Sequence, residues 1–354
     1  MAGYYVNPYV KDCIRVFPEQ GRYGYYRYDM NENPEGLPKE FVDNVLNSIT
    51  PGFLSTYPEP DAFLKKYASF VGVNYENVLT TNGSDMAIRY LLEIFCEKGK
   101  KVVTVSPSFE MYRVNCLLLG LEHVPVNYET DMTIDVSKLL NAIDNDTDIV
   151  VLLNPNNPIG NVYTDDEVGL IIKKANENNA VVIIDEAYYY FYDKSFLKNV
   201  LKYNNVVVLR TFSKLFSLAA CRLGIIISNN DIIGYVKKLR MTFEVNAVAL
   251  KFAERLIESP EIVNGLIDSE KQGKKYILYE LSKIGYEVKD GLGNYIFIKT
   301  HKEPLDIFKE LKNKKVLIKI FDNSLLKDYI RVSVGSKKSM EFFIEKFLEV
   351  DCIH

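Results

Sequence analysis

The chain has 354 residues, too many for one compact core and a comfortable length for two domains. Its 47% hydrophobic and 25% charged residues fall in the ordinary range of soluble globular proteins. A formal net charge of −4 argues against a nucleic-acid binder, which needs clustered Lys and Arg, and no apolar stretch approaches the ~20 residues that span a bilayer.

In chain order, the first thirty residues are Tyr-rich and irregular and end in Met30-Asn31-Glu32-Asn33-Pro34. They read as an arm (1–30, part of a small domain) leading into an active-site loop. Thr80-Thr81-Asn82-Gly83-Ser84-Asp85 opens a helix that carries Ile88, Leu91 and Leu92. From about 100 to 228, short β-branched runs alternate with helical patterns. The runs at 101–105, 148–153, 180–184, 205–209 and 224–228 are nearly continuous in apolar residues, as strands buried on both faces should be. Between them, 165–178 has helical periodicity behind the N-cap candidate Thr164. This alternation predicts an α/β fold with a large, mainly parallel sheet covered by helices, over 31–246. A long helical stretch follows at 247–281, then strands at 294–299 and 316–321 flanking a helix at 305–312, and a last strand at 329–334. These make a smaller α+β domain over 247–354. The Lys-rich stretch 312–319 mixes its charges with apolar residues and reads as a solvated helix end and strand face.

Several kinds of chemistry lack their usual handles. The cysteines Cys13, Cys96, Cys116, Cys221 and Cys352 are odd in number and scattered, with no C-x-x-C, which suits a reducing cytoplasm better than a disulfide framework or zinc site. No secretory signal is expected, because Met1 to Val10 lacks a basic region followed by an apolar run. His123, His301 and His354 sit in no catalytic or metal-binding pattern. Neither a strand-linked G-x-G-x-x-G nor a G-x-x-x-x-G-K-[ST] occurs. The chemistry is therefore expected to belong to another cofactor.

Parallel sheets bind ligands beyond the carboxyl ends of their strands. Three of the strands end in Asn154-Pro155-Asn156-Asn157-Pro158-Ile159-Gly160, in Asp185-Glu186-Ala187-Tyr188, and in Arg210-Thr211-Phe212-Ser213-Lys214 followed by Arg222. These groups match the needs of pyridoxal 5′-phosphate. Lys214 can bond covalently to its aldehyde in a desolvating pocket. Asp185 can keep the pyridine nitrogen protonated, and Asn157 and Tyr188 can donate to the phenolic oxygen. The amides of Gly83, Ser84 and Asp85 at a helix N-terminus, with Thr211, Ser213 and Arg222, can hold the phosphate. Asp185 and Lys214 lie 29 residues apart (214 − 185), one strand–helix–strand unit.

With these motifs the sequence resembles the fold type I pyridoxal-phosphate enzymes, and among them the histidinol-phosphate aminotransferase family. The likeness runs from about 31 to 335 through N-E-N-P, Y-P at 57–58, N-G-S-D at 82–85, N-P-N-N-P-x-G, D-E-A-Y, R-T-F-S-K, R-L-G and R-V-S-V-G. It implies that Tyr57 reaches the cofactor phosphate of the neighbouring subunit in a homodimer. It also implies that Phe109 stacks on the pyridine ring, and that Arg331 binds the anionic group of the substrate. Tyr25, Tyr26 and Asn33 would line the substrate mouth. Where the family has an amide and a second arginine, this chain has Glu244 and Lys319, a departure that bears on which phosphorylated substrate fits. The expected reaction is amino transfer to a small phosphorylated ketone, as large as imidazole acetol phosphate or as small as dihydroxyacetone phosphate, with glutamate as donor. Decarboxylation of an O-phospho amino acid is the alternative, and a binding-only scaffold is disfavoured by the retention of Lys214, Asp185 and Arg222.

Overall fold

The computed structural model describes residues 4–15, 17, 20–192 and 194–351; Cys352 and His354 lie outside them, as do parts of the arm. The strands are β1 (Tyr26–Arg27), β2 (Val78–Asn82), β3 (Lys101–Ser106), β4 (Glu122–Asn127), β5 (Thr147–Leu153), β6 (Val181–Asp185), β7 (Val206–Thr211), β8 (Leu223–Ser228), β9 (Val288–Asp290), β10 (Tyr295–Lys299), β11 (Val316–Leu317), β12 (Lys319–Ile320) and β13 (Tyr329–Ser333). Seven of them form the large sheet in the order β2-β8-β7-β6-β5-β3-β4. The continuous apolar runs are buried on both faces, alternate residues facing opposite ways. Val150, Leu152, Val182 and Ile184 enter one core, and Ile149, Val151, Val181 and Ile183 the other. Helix Asp165–Glu177 starts with a full capping box from Thr164 and Glu167.

One strand of this sheet runs against the rest. β8 is antiparallel to both of its neighbours, β2 and β7. Only residues 212–222 separate β7 from β8, too few for the helical crossover that a parallel return requires. The chain therefore doubles back at the carboxyl end of β7, leaving Lys214 and Arg222 in the connection at that end.

The expected long helix at 247–281 is two helices, Ala247–Ile257 and Pro260–Lys283. Pro260 lacks the N–H that a continuing helix would use and suits a first helical turn. The first helix buries Ala249, Leu250, Phe252, Ala253 and Leu256 in the core of the large sheet, whereas Ile277 and Leu281 of the second belong to the core of the small one. The change of core thus falls along the second helix.

The small sheet, β12-β13-β10-β9, is antiparallel. Its strand β10 turns Tyr295 and Phe297 toward the core of the large sheet and Ile296 and Ile298 into its own. The expected strand at 316–321 is divided at Ile318. β11 pairs with the arm strand β1, and β12 pairs with β13 so that Lys319 stands opposite Arg331. Tyr28 anchors the arm in the small core and donates to Ser339 O at 3.1 Å. Among the described residues, no helix is long and apolar enough to cross a membrane.

Candidate active site

A cavity of about 530 Å³ opens where the large sheet's strand ends face the small sheet and the arm. Lys214, Asp185, Tyr188, Asn157, Thr211, Ser213, Arg222, Ser84, Asp85 and Phe109 line it from the large-sheet part of the chain. Arg331 and Lys319 line it from the small sheet, and Tyr25 from the arm.

Asp185 is the last residue of β6 and is 2% exposed. Its Oδ2 accepts from the Tyr112 hydroxyl at 2.9 Å and its Oδ1 from the Ala187 N–H at 3.1 Å. Burial pushes the carboxyl up to about 6, and these two hydrogen bonds oppose that rise. Lys214 Nζ donates to Met30 O at 3.0 Å and lies 5.8 Å from the centre of the Tyr188 ring.

The cup below is built around Arg222, whose backbone is left-handed at φ 53°. Its Nη2 donates to Asp85 Oδ2 at 2.9 Å, and its carbonyl accepts the Gly83 N–H at 2.9 Å. A Cβ on Gly83 would come 2.5 Å from Arg222 Nη2, and one on Gly224 would come 2.5 Å from Ser84 N. Glycine at 83 leaves room for the Arg222 guanidinium, and glycine at 224 lets β8 lie against the backbone at the start of helix Gly83–Phe95. Gly83 itself is not part of the cavity wall, and its amide is already occupied.

Two donors remain beside Asp185. Asn157 Oδ1 accepts from Arg331 Nη1, which leaves its NH2 group available to donate. The Tyr188 hydroxyl accepts from Asn31 Nδ2 at 2.9 Å and keeps its own hydrogen. A carboxylate for a cationic ring nitrogen, two donors for a phenolic oxygen, a lysine amine, and a helix start with an arginine for a phosphate form the donor set of pyridoxal phosphate. The residues present fit that group.

On the small-sheet side, Arg331 Nη2 donates to Asp29 O at 2.8 Å, while its Nε is buried without a partner. Burial draws both Arg331 and Lys319 below their ordinary values, and Lys319 is lowered further by the neighbouring guanidinium. Lys312 and Phe308, from helix Pro304–Asn313, join this wall. Within the stretch 312–319, residues 313–315 and Lys319 are exposed as expected, and Lys312 and Lys319 also border the cavity. Arg22 bridges Asp29 at 2.7 Å and Glu32 at 2.9 Å, fixing the arm across the mouth.

Some expected residues lie elsewhere. Asn33 does not line this cavity; its Nδ2 donates to Ser217 Oγ at 2.8 Å and to Gly36 O at 3.0 Å, beside a second cavity of about 490 Å³ that Lys214 also borders. Its neighbour Asn31 enters the site instead. Tyr26 is taken up by β1 and packs on Phe342, ring centres 4.2 Å apart. Tyr57 is 72% exposed and stacks on Phe243 at 4.3 Å, away from this chain's own cavity. Glu244 accepts from the Asn82 N–H at 2.6 Å and from the Tyr90 hydroxyl at 3.2 Å, so it supports the end of β2 and does not face the substrate space.

Other residues carry the site without having been singled out. Arg210 and Glu186, with side chains 6% and 0% exposed, pair at 2.9 Å and tie the ends of β6 and β7 together. Arg210 also lies 4.2 Å from the centre of the Tyr189 ring. The nearest signal for Tyr112 was its place one helical turn beyond Phe109.

The family profile for aminotransferase class I and II matches residues 26–347. The chain belongs to that family. It is 32% identical to the histidinol-phosphate aminotransferase of Clostridium novyi over 333 residues, covering 93% of this chain and 92% of the relative. It is 30% identical to that of Caldanaerobacter subterraneus, covering 92% and 93%. The solved histidinol-phosphate aminotransferase of Sinorhizobium meliloti, in complex with pyridoxal-5′-phosphate, superposes with a TM-score of 0.88 at 20% identity, over 99% of this chain and 98% of that one. The Clostridium acetobutylicum enzyme gives 0.82 at 24% identity, over 92% and 98%. This aminotransferase has the fold type I architecture, and pyridoxal phosphate is its cofactor.

Proposed function

We propose that this aminotransferase acts on a small phosphorylated ketone and its amine, with glutamate as amino donor. The observation that carries the reading is the cationic wall that the small sheet and its adjoining helix contribute to the cavity. Antiparallel pairing sets Lys319 against Arg331, and Lys312 stands on the adjoining helix. The relatives are named for histidinol phosphate, which fits a phosphate at this wall. A ketone smaller than imidazole acetol phosphate, such as dihydroxyacetone phosphate, suits this chain better. Lysine at 319 provides a point charge without a bidentate fork, where the resembled family has arginine.

When bound, pyridoxal phosphate supplies an electron-withdrawing ring that stabilises negative charge on the substrate carbon. Asp185 would hold the proton at the ring nitrogen, and Asn157 and Tyr188 would donate to the phenolic oxygen. Ser84, Asp85, Thr211, Ser213 and Arg222 would hold the phosphate, and Phe109 would cover the ring face. Lys214 Nζ, once free, would move the proton of the transfer step. A homodimer with Tyr57 reaching into the partner's site accords with that residue's exposure. The free thiols of Cys13, Cys96, Cys116 and Cys221 accord with a reducing cytoplasm.

The test compares kcat/KM for serinol phosphate, histidinol phosphate and phenylalanine, with product analysis. Serinol phosphate is expected to be preferred. In Arg331→Ala, kcat/KM for it should fall roughly ten- to a hundredfold, the value of a charge-assisted contact. Preference for phenylalanine overturns the phosphate reading, and preference for histidinol phosphate overturns the smaller substrate. Release of CO2 from phosphoserine or phosphothreonine in place of amino transfer would establish the decarboxylase.

A further inference from the structure

We propose that Tyr112 is a positioning residue for the cofactor ring: its phenol keeps the Asp185 carboxylate ionised and oriented toward the ring nitrogen. The proposal rests on the placement of pyridoxal phosphate described above.

Tyr112 lies on helix Glu110–Leu119, which begins directly after Phe109. It is 1% exposed, and its hydroxyl is 2.9 Å from Asp185 Oδ2. Packing alone would be satisfied by a phenylalanine there, since a buried hydroxyl is stabilising only when it has a partner. The Phe109 and Tyr112 rings meet edge to face at 6.4 Å. One helix start therefore presents both the ring-stacking candidate and the group behind the carboxylate, so a shift of either displaces the other.

The surroundings of Asp185 show why a donor is needed. The charged groups acting on it are Asp85, from helix Gly83–Phe95, and Glu186, the next residue in the chain; both are acids and favour its protonation. Against them and against burial stand two neutral donors, the Ala187 N–H and the Tyr112 hydroxyl, and the hydroxyl is the stronger opposing influence. Burial and the neighbouring carboxylate hold the Tyr112 phenol well above the ordinary tyrosine value, so it remains a donor throughout the working range.

The test is Tyr112→Phe, which keeps the ring and removes only the donor. Dissociation of pyridoxal phosphate from the holoenzyme is measured from about pH 6 to about pH 9, together with the bound cofactor's visible spectrum. Without Tyr112 the Asp185 pKa in the cofactor-free chain rises further, so at lower pH binding must first ionise the acid. Binding is expected to weaken about ten- to a hundredfold near pH 6, in line with a hydrogen bond to a charged group, and the loss should shrink toward pH 9. The spectrum should shift as the ring nitrogen loses protonation. In an Asp185→Asn background, adding Tyr112→Phe should change affinity by less than about twofold, because the coupled partner is already gone. A loss independent of pH, or an equal loss in the Asp185→Asn background, overturns the proposal and leaves Tyr112 a packing residue. Wild-type protein that takes up no pyridoxal phosphate overturns the cofactor placement as well, so the two failures are distinguishable.

Discussion

Replacing Asp185 by Asn should make the cofactor-free chain more stable while disabling the enzyme. Burial raises this carboxyl from 3.8 to about 6. A rise of roughly two units corresponds to ~3 kcal/mol at ~1.4 kcal/mol per unit. The sign follows from proton linkage. An acid whose folded pKa lies above its unfolded value binds its proton more tightly in the folded chain. The associated stability is whole below about pH 4, falls as pH rises through about 6, and is absent above that. Asn does not titrate. The variant should therefore match the wild type near pH 4 and exceed it by ~2–3 kcal/mol near pH 8. At an unfolding entropy of ~2.1 cal/mol/K per residue over 354 residues, that is a rise in Tm of ~3–4 °C. Turnover should move the other way, by at least about a hundredfold. Asn carries no charge to hold a pyridinium proton, and the missing interaction is strongest where charge develops in the transition state. Calorimetry of cofactor-free wild type and variant at both pH values, beside kcat for the reconstituted enzymes, makes the comparison. A stability difference that does not change with pH would refute the burial argument. Near-wild-type turnover would show Asp185 to be a purely structural residue.

Two further predictions concern the cofactor lysine and the shared site. Borohydride treatment of the yellow holoenzyme should fix pyridoxal phosphate to a peptide containing Lys214, and Lys214→Ala should be colourless and unlabelled; label on another lysine would contradict the assignment. Mixing inactive Tyr57→Ala and inactive Lys214→Ala subunits should restore activity, because one site of the mixed dimer then has both residues intact. Demonstrated subunit exchange with no recovered activity would refute sharing through Tyr57.

The sequence by itself carried the large sheet and the cofactor end of the site. Strands such as β6 and β7 are continuous apolar runs because helices cover both of their faces, and such runs are recognisable without knowing their neighbours. The polar residues that end them are local in sequence, so Asp185, Tyr188, Lys214 and Arg222 could be chosen from their positions along the chain. The need for glycine at 83 and 224 becomes visible only in the fold, where their Cβ atoms would meet Arg222 and the backbone at Gly83 and Ser84. What the tertiary structure decided is everything that joins distant segments. Asn33 was expected at the substrate mouth, but the fold brings Asn31, in a left-handed backbone conformation, to Tyr188 and leaves Asn33 beside Ser217. The division of 316–321 at Ile318 depended on two competing partners, the arm strand β1 and the strand β13, and only the second pairing sets Lys319 opposite Arg331. Glu244 looked like a substrate residue until strand β2 ended against it, and Tyr112, with no signal of its own in the sequence, is brought behind Asp185, 73 residues away, only by the placing of its helix. Such contacts have no period and no local signature. They form because apolar faces must be buried together, and the polar groups carried in with those faces find partners that spacing along the chain does not specify.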